Sequence, residues 1–489
     1  MVDFNDYTVP AVKYSAVLNK RICLILKRKS PLMRTTFFIF LFSLAISFNL
    51  SAQQSWKHGR IKVTVDGHFL QYEDGTPFFW LGDTGWELFH RLTKEEISRY
   101  LENRRQKGFN VIQAVILAEF NGLKKPNQYG QVPFVDLDPT KPNEKYFELI
   151  DYTVKLALQK NMCMGLLPTW GDKVTMAWGE GPVVFNESNA YLYGRWLGNR
   201  YKIYPNIIWI LGGDRPPQKD SNDYRPVWRA MAKGITEGSA GKAFFTYHTS
   251  GGHSTSEYIH NESWLMMNTM QSGHGGGHDV AVWKWIERDR NLQPAKPTLD
   301  AEPNYEDHPV NPWPKWDPAN GYFRDYDVRK QTYRSVFAGA CGVTYGHHAV
   351  WQFYSARENP INYADRYWTK AIDRPGAFQV GYLRKLIESR SALNRIPDQS
   401  IIVDGQGEKG EYITAFRDRD NKYAMIYLPV GKTITVNTSI IKGEKISVSW
   451  FDPKNGKTKK TGLLKKEATM KFTPPTSGIN NDWVLILEK

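Results

Sequence analysis

From residue 78 to about residue 347, short apolar runs alternate with longer stretches of helical spacing. The runs are Phe78–Gly82, Val111–Leu117, Met164–Pro168, Ile207–Leu211, Phe244–His248, Leu265–Gln271, Pro297–Glu302 and Gly342–His347. Runs this short and this continuously apolar predict strands of a parallel sheet covered on both faces. Helices are predicted between them. Thr93 with Glu96 three residues on forms a capping box, which starts a helix that ends near Lys107, before Gly108. Phe147, Ile150, Val154 and Leu158 recur at helical spacing. Further helices are predicted over 189–200, 224–234, 281–289, 325–338 and 377–389. Eight strand–helix repeats in roughly 310 residues fit an α/β fold of the (β/α)8 type, the TIM barrel. A doubly wound open sheet is the competing arrangement, but the first run continues as Gly82-Asp83-Thr84-Gly85-Trp86, not as a glycine-rich phosphate turn.

The flanks read differently. Residues 60–80 form short strands with hairpin turns at Asp66-Gly67 and Asp74-Gly75. From about Pro397 the pattern becomes short alternating strands, predicted over 401–403, 412–416, 423–428, 433–437, 446–451, 469–472 and 483–487, with a turn at Lys454-Asn455-Gly456. This describes a small all-β sandwich over 397–489, after a barrel domain over 53–396. At the other end, Arg34 precedes a nearly unbroken apolar run from Phe37 to Leu50, followed by Ser51-Ala52. That order predicts a secretory signal, so residues 1–52 are expected to be an extension and signal peptide. The run is shorter than the ~20 residues of a membrane span, so no stable membrane insertion is expected after its removal. Met33 is the expected start. A signal anchor with a cytoplasmic tail is the alternative.

Composition changes this picture little. Of 489 residues, 41% are hydrophobic and 23% charged, which excludes disordered, collagenous and coiled-coil chains. The formal charge is +14, but residues 1–52 hold seven cations against Asp3 and Asp6, leaving about +9. No basic helix or arginine run accompanies that charge, so no nucleic-acid partner is expected. A polyanion such as an acidic polysaccharide is one reading of it; a dispersed, solvated surface is the other. Three cysteines exclude a disulfide scaffold, and Cys163 and Cys341 read as buried thiols. The unusual count is aromatic: 17 Trp, 26 Tyr and 24 Phe.

The candidate chemistry follows from the barrel, whose catalytic residues stand at the C-terminal strand ends. Those ends carry Asp83 and Trp86, then Glu119, Trp170, Asp214, His248, Gln271 with His274, Glu302, and finally His347-His348 with Trp351. Carboxylates, histidines and tryptophans on one rim suit glycosidic cleavage, in which one carboxyl protonates the leaving oxygen and a second attacks or activates water. Asp214, after two glycines, and Glu302 form the best pair, with Asp300 and Glu306 as rivals of Glu302. Asp83, Trp86, Glu119, Trp170, His248, Gln271, His274 and Trp351 are the candidate substrate-binding residues. His347 and His348, read as strand neighbours, point to opposite faces. No H-E-x-x-H, G-x-S-x-G or P-loop is present, so no metal and no cofactor is expected.

Three segments in this order, Phe79-Trp80-Leu81-Gly82-Asp83-Thr84-Gly85-Trp86, Lys107-Gly108-Phe109-Asn110-Val111-Ile112-Gln113 and Trp209-Ile210-Leu211-Gly212-Gly213-Asp214, resemble the apiosidase-like family, glycoside hydrolase family 140. The C-terminal region resembles the β-sandwich that carries a collagen-binding label in such proteins. The resemblance implies a hydrolase of plant cell-wall glycan that cleaves at apiose in the side chains of rhamnogalacturonan-II, a pectin. It implies that Asp214 is the acid and Glu302 the nucleophile, and a periplasmic location. A non-catalytic glycan-binding protein on a degenerate barrel is the alternative.

Overall fold

A computed structural model describes residues 56–312 and 315–489, and residues 56–489 fold as one compact unit. The expected signal lies outside the described residues. Eight strands form the barrel: β1 (Trp80–Thr84), β2 (Val111–Val115), β3 (Cys163–Leu167), β4 (Ile207–Gly212), β5 (Phe245–His248), β6 (Asn268–Gln271), β7 (Thr298–Asp300) and β8 (Gly342–Tyr345). Six of them make one parallel sheet in the order β5-β4-β3-β2-β1-β8, and β6 pairs parallel with β7. Backbone hydrogen bonds close the ring. Met266 N–H donates to Phe245 O at 3.0 Å across β5 and β6, and Cys341 N–H donates to Thr298 O at 3.0 Å across β7 and β8.

Each strand except β5 leads to a long helix: α1 (Lys94–Gln106), α2 (Glu144–Gln159), α3 (Glu187–Tyr201), α4 (Arg225–Gly238), α5 (Val282–Arg290), α6 (Asp325–Phe337) and α7 (Pro375–Glu388). The short segment after β5 makes only one helical turn, Ser256–Ile259. The expected capping box starts α1: Thr93 Oγ1 accepts from Glu96 N–H at 3.3 Å, and Glu96 Oε2 accepts from Thr93 N–H at 2.9 Å.

Strand parity divides the core in two, because successive side chains point to opposite faces. On β4, Ile207, Trp209 and Leu211 pack outward against the helices, whereas Ile208 and Ile210 fill the lumen. Trp80, Val111, Val115, Cys163, Leu167 and Leu299 also face the lumen. The same parity turns His248 of β5 inward and Asp83 of β1 outward. Cys163 and Cys341 are free buried thiols.

Before the barrel, Ile61–Val63, Leu70–Tyr72 and Pro77–Phe78 form a small antiparallel sheet, as the turn signals predicted. After it stand an antiparallel six-stranded sheet, ordered 395–397, 414–418, 423–428, 483–488, 445–452 and 457–465, and a three-stranded sheet of 402–404, 434–437 and 469–472. Lys457–Lys465 was not expected as a strand. Nearly every residue in it is exposed, so no apolar alternation marks it. Among the described residues no helix is long and apolar enough to cross a membrane.

The two regions are tied by a buried ion pair. Arg329 of α6 and Asp482, both fully buried, meet at 3.0 Å.

Candidate active site

At the end of β4 the chain turns through three consecutive left-handed residues, Gly212 (φ 84°), Gly213 (φ 107°) and Asp214 (φ 53°). A Cβ on Gly212 would lie 2.3 Å from His248 O, so only glycine fits there. Left-handed φ is uncommon outside glycine, and Asp is among the residues that tolerate it. The turn lifts the Asp214 side chain into a cleft of about 1060 Å³, lined also by Trp178, Lys219, Ser250–His253, Tyr258, Ser272–Gly276 and Trp285. The Asp214 carboxyl keeps 23% exposure.

One oxygen of Asp214 is occupied. Oδ2 accepts from Arg215 Nη1 at 2.8 Å and from Trp178 Nε1 at 3.1 Å. A proton on Asp214 therefore sits on Oδ1. Burial raises this carboxyl above the ordinary range against the Arg215 charge, and the nearby Glu302 charge raises it further.

Glu302 lies two residues beyond β7 and is nearly buried. His248 Nε2 approaches its Oε2 at 3.1 Å and His274 Nε2 its Oε1 at 3.3 Å. The His248 approach is off the hydrogen-bond axis, and neither of those two atoms has another partner among the described residues. Backbone groups assign both tautomers. His248 Nδ1 accepts from Asp214 N–H at 3.2 Å, and His274 Nδ1 accepts from Tyr305 N–H at 3.4 Å. Each ring proton then sits on Nε2, the nitrogen nearer Glu302. Burial alone would raise Glu302, but the His248 and His274 donors outweigh it and hold the carboxylate below the ordinary range. His248 thus connects the Asp214 backbone to the Glu302 carboxylate.

The remaining candidates sort by parity and burial. Trp86 meets His248 edge to face and Trp170 lies tilted against it, with ring centroids 5.2 and 6.0 Å from it. Both are almost fully buried, so they form the floor under the site and offer no open face to a sugar. Trp351 is also buried, and its Nε1 donates to His348 Nδ1 at 3.3 Å. Gln271 is buried beside Gly251 and Gly273 of the cleft, and its Oε1 has no partner among the described residues. Glu119 accepts from Arg215 Nη2 at 3.3 Å, keeps a fifth of its side chain exposed, and is raised by burial.

Four sequence expectations are corrected. Asp83 faces the helix layer, not the rim, and is consumed by Arg104 Nε at 2.5 Å and by the Tyr100 hydroxyl. Asp300 also faces outward, accepting from Ser272 Oγ at 2.6 Å. Glu306 is buried against the Tyr345 hydroxyl at 2.6 Å and Gly376 N–H at 3.0 Å, so neither rival of Glu302 reaches the cleft. His347 and His348 do not alternate across a strand. The strand stops at Tyr345, His347 caps a short helix through Ala349 N–H at 3.0 Å, and both rings are buried.

Sequence reasoning missed Trp178, Arg215, Tyr305 and Trp285. Trp178 lies in a loop eleven residues past β3, too far to be read as a strand end. Arg215 looked like an ordinary charged loop residue. In the fold, it lies fully buried beneath the Trp178 ring, 4.2 Å from the centroid.

A family model for the apiosidase-like catalytic domain matches residues 64–394, and one described as "Putative collagen-binding domain of a collagenase" matches 396–488. Nothing among the curated proteins matches the chain. Among solved structures, it is similar to a glycoside hydrolase family 5 protein from Bacteroides vulgatus, at 32% identity and a TM-score of 0.80, covering 89% of this chain and 94% of that one. A second structure, described as a glycoside hydrolase, is similar at 33% identity and TM-score 0.80, covering 89% and 98%. The protein is thus a glycosidase acting on a glycan, and the chain belongs to the apiosidase-like family.

Proposed function

We propose that this glycoside hydrolase cleaves the apiosidic linkage in the side chains of rhamnogalacturonan-II in plant cell-wall pectin, after export to the periplasm. Asp214 is the general acid and base, and Glu302 is the nucleophile of a retaining double displacement. The observation that carries the assignment is that two carboxyls meet on either side of His248, whose Nδ1 accepts from Asp214 N–H at 3.2 Å and whose Nε2 lies 3.1 Å from Glu302, with burial shifting Asp214 upward and the two histidines shifting Glu302 downward. The free oxygen Oδ1 of Asp214 delivers its proton to the leaving oxygen as Glu302 attacks the anomeric carbon. Water then resolves the glycosyl-enzyme, with Asp214 taking back a proton. The family and the secretory pattern of residues 34–52 support substrate and location. Incubation with rhamnogalacturonan-II oligosaccharides should release apiose-bearing products with retained anomeric configuration by NMR. Release of other sugars only would reject the substrate, and an inverted product would reject the nucleophile.

The pH profile tests the roles separately. Activity needs Glu302 ionised and Asp214 protonated, so kcat/KM should be bell-shaped, with apparent values belonging to the pair. The acid limb should lie below an ordinary carboxyl and the alkaline limb above one. His248→Phe removes a donor to Glu302, so the acid limb should move to higher pH. An unmoved acid limb would show that His248 does not hold the nucleophile.

A further inference from the structure

The antiparallel pair Lys445–Asp452 and Lys457–Lys465 carries an unusual charge pattern far along the chain from the cleft-lining residues. Between residues 441 and 472 stand nine lysines and three acids, with no arginine and no histidine. Lys442, Lys445, Lys457, Lys459, Lys460, Lys465 and Lys471 are all exposed. Among the described residues none of the nine forms a salt bridge, although Lys422 and Lys432 of the same region are paired with Asp420 and Glu411.

Register makes the pattern more pointed. Lys465 stands directly opposite Lys445, and Lys460 opposite Ser449, so these three lysines share one face of the sheet. Like charges directly opposite each other cost stability. Strand 457–465 is the outer strand of its sheet. Charged residues on an edge strand guard against edge-to-edge aggregation, but that purpose needs no like-charged cross-strand pair.

We propose that this lysine comb is a binding surface for a polyuronate, a polysaccharide with a carboxylate on each repeating sugar. Lys445, Lys460 and Lys465 stand on one face and Lys457 and Lys459 on the other, so the exposed outer strand carries flexible point charges on both sides, which suits a chain with a carboxylate on every sugar. Arginine, the residue that recognises phosphate bidentately, is missing from the segment. So are exposed aromatic rings on which bases would stack. Trp450 is buried in the sandwich core. The surface would hold the enzyme on acidic polysaccharide while the barrel works on its own linkage. Polyuronate binding goes beyond the apiosidic reading and does not depend on it.

The test uses the full chain and the variant Lys445→Gln/Lys459→Gln/Lys460→Gln/Lys465→Gln. Affinity electrophoresis through polygalacturonate should retard the wild type, weaken with added salt, and fall about tenfold in affinity in the variant. Fully methyl-esterified pectin, uncharged, should not retard either protein. The variant should keep wild-type hydrolysis of a short soluble oligosaccharide, which separates this surface from the active site. Equal retardation of wild type and variant would overturn the proposal. So would equal binding to double-stranded DNA or to phosphatidylglycerol vesicles, which would mark a general polyanion surface.

Discussion

Asp214→Asn should lower turnover of the natural glycan by about 10²–10⁴-fold, the range of a lost general acid, while leaving the fold intact. The amide oxygen of Asn still accepts from Arg215 and Trp178, so those contacts survive. The loss should shrink on an aryl glycoside whose phenolate leaves without protonation, because the first step then needs no acid. Glu302→Gln should abolish turnover on both substrates, since no leaving group compensates for a missing nucleophile. It carries a structural cost as well. His248 and His274 each bring Nε2 to within 3.1–3.3 Å of a different carboxylate oxygen, and Gln offers only one acceptor. One donor then faces an amide N–H, so the variant should be somewhat less stable, and far-UV circular dichroism should accompany the kinetics. Near-normal turnover by either folded variant would remove that residue from the chemistry.

Arg329→Met should destabilise the protein by ~3–5 kcal/mol, the cost of leaving one partner of a buried pair alone. The guanidinium donates to Asp482 through Nε and Nη2 at 3.0 Å each, to Asp325 at 2.6 Å, to Gln379 at 2.9 Å and to Asn480 at 2.8 Å. After its removal the buried Asp482 keeps, among the described residues, only the Tyr427 hydroxyl at 3.3 Å. Because α6 belongs to the barrel and Asp482 borders the C-terminal sheet, the loss weakens the contact between the two. Chemical denaturation should show an earlier transition, with KM of the folded enzyme unchanged. A change below ~1 kcal/mol, the worth of an exposed pair, would mean that the pair does not hold the two regions together.

Much of the fold was legible because its signals are local. The eight apolar runs, the Thr93–Glu96 box and the Asp-Gly turns each need only a few neighbouring residues to take effect. The strand over 457–465 was illegible for the complementary reason: it holds its place through backbone pairing with 445–452 and buries almost no side chain. The candidate carboxyls were also legible, since Gly212-Gly213-Asp214 and the end of β7 announce themselves in the chain. Asp83 was misread although its parity was available: Phe79 and Leu81 pack outward in the helix-facing core, and Asp83 follows them in step.

The sequence by itself determined the order of strands and helices, the family, and the two carboxyls at strand ends, because periodicity and short motifs act over a few residues. Only the tertiary structure decided which neighbours those carboxyls have. His248, His274, Arg215 and Trp178 reach Asp214 and Glu302 from β5, from the segment after β6, from the turn after β4 and from the loop after β3, and charge is set by distance in space. The aromatic surplus was sorted the same way. Trp86, Trp170 and Trp351 were sealed into the floor, while Trp178, well outside any predicted strand end, was left open over the acid.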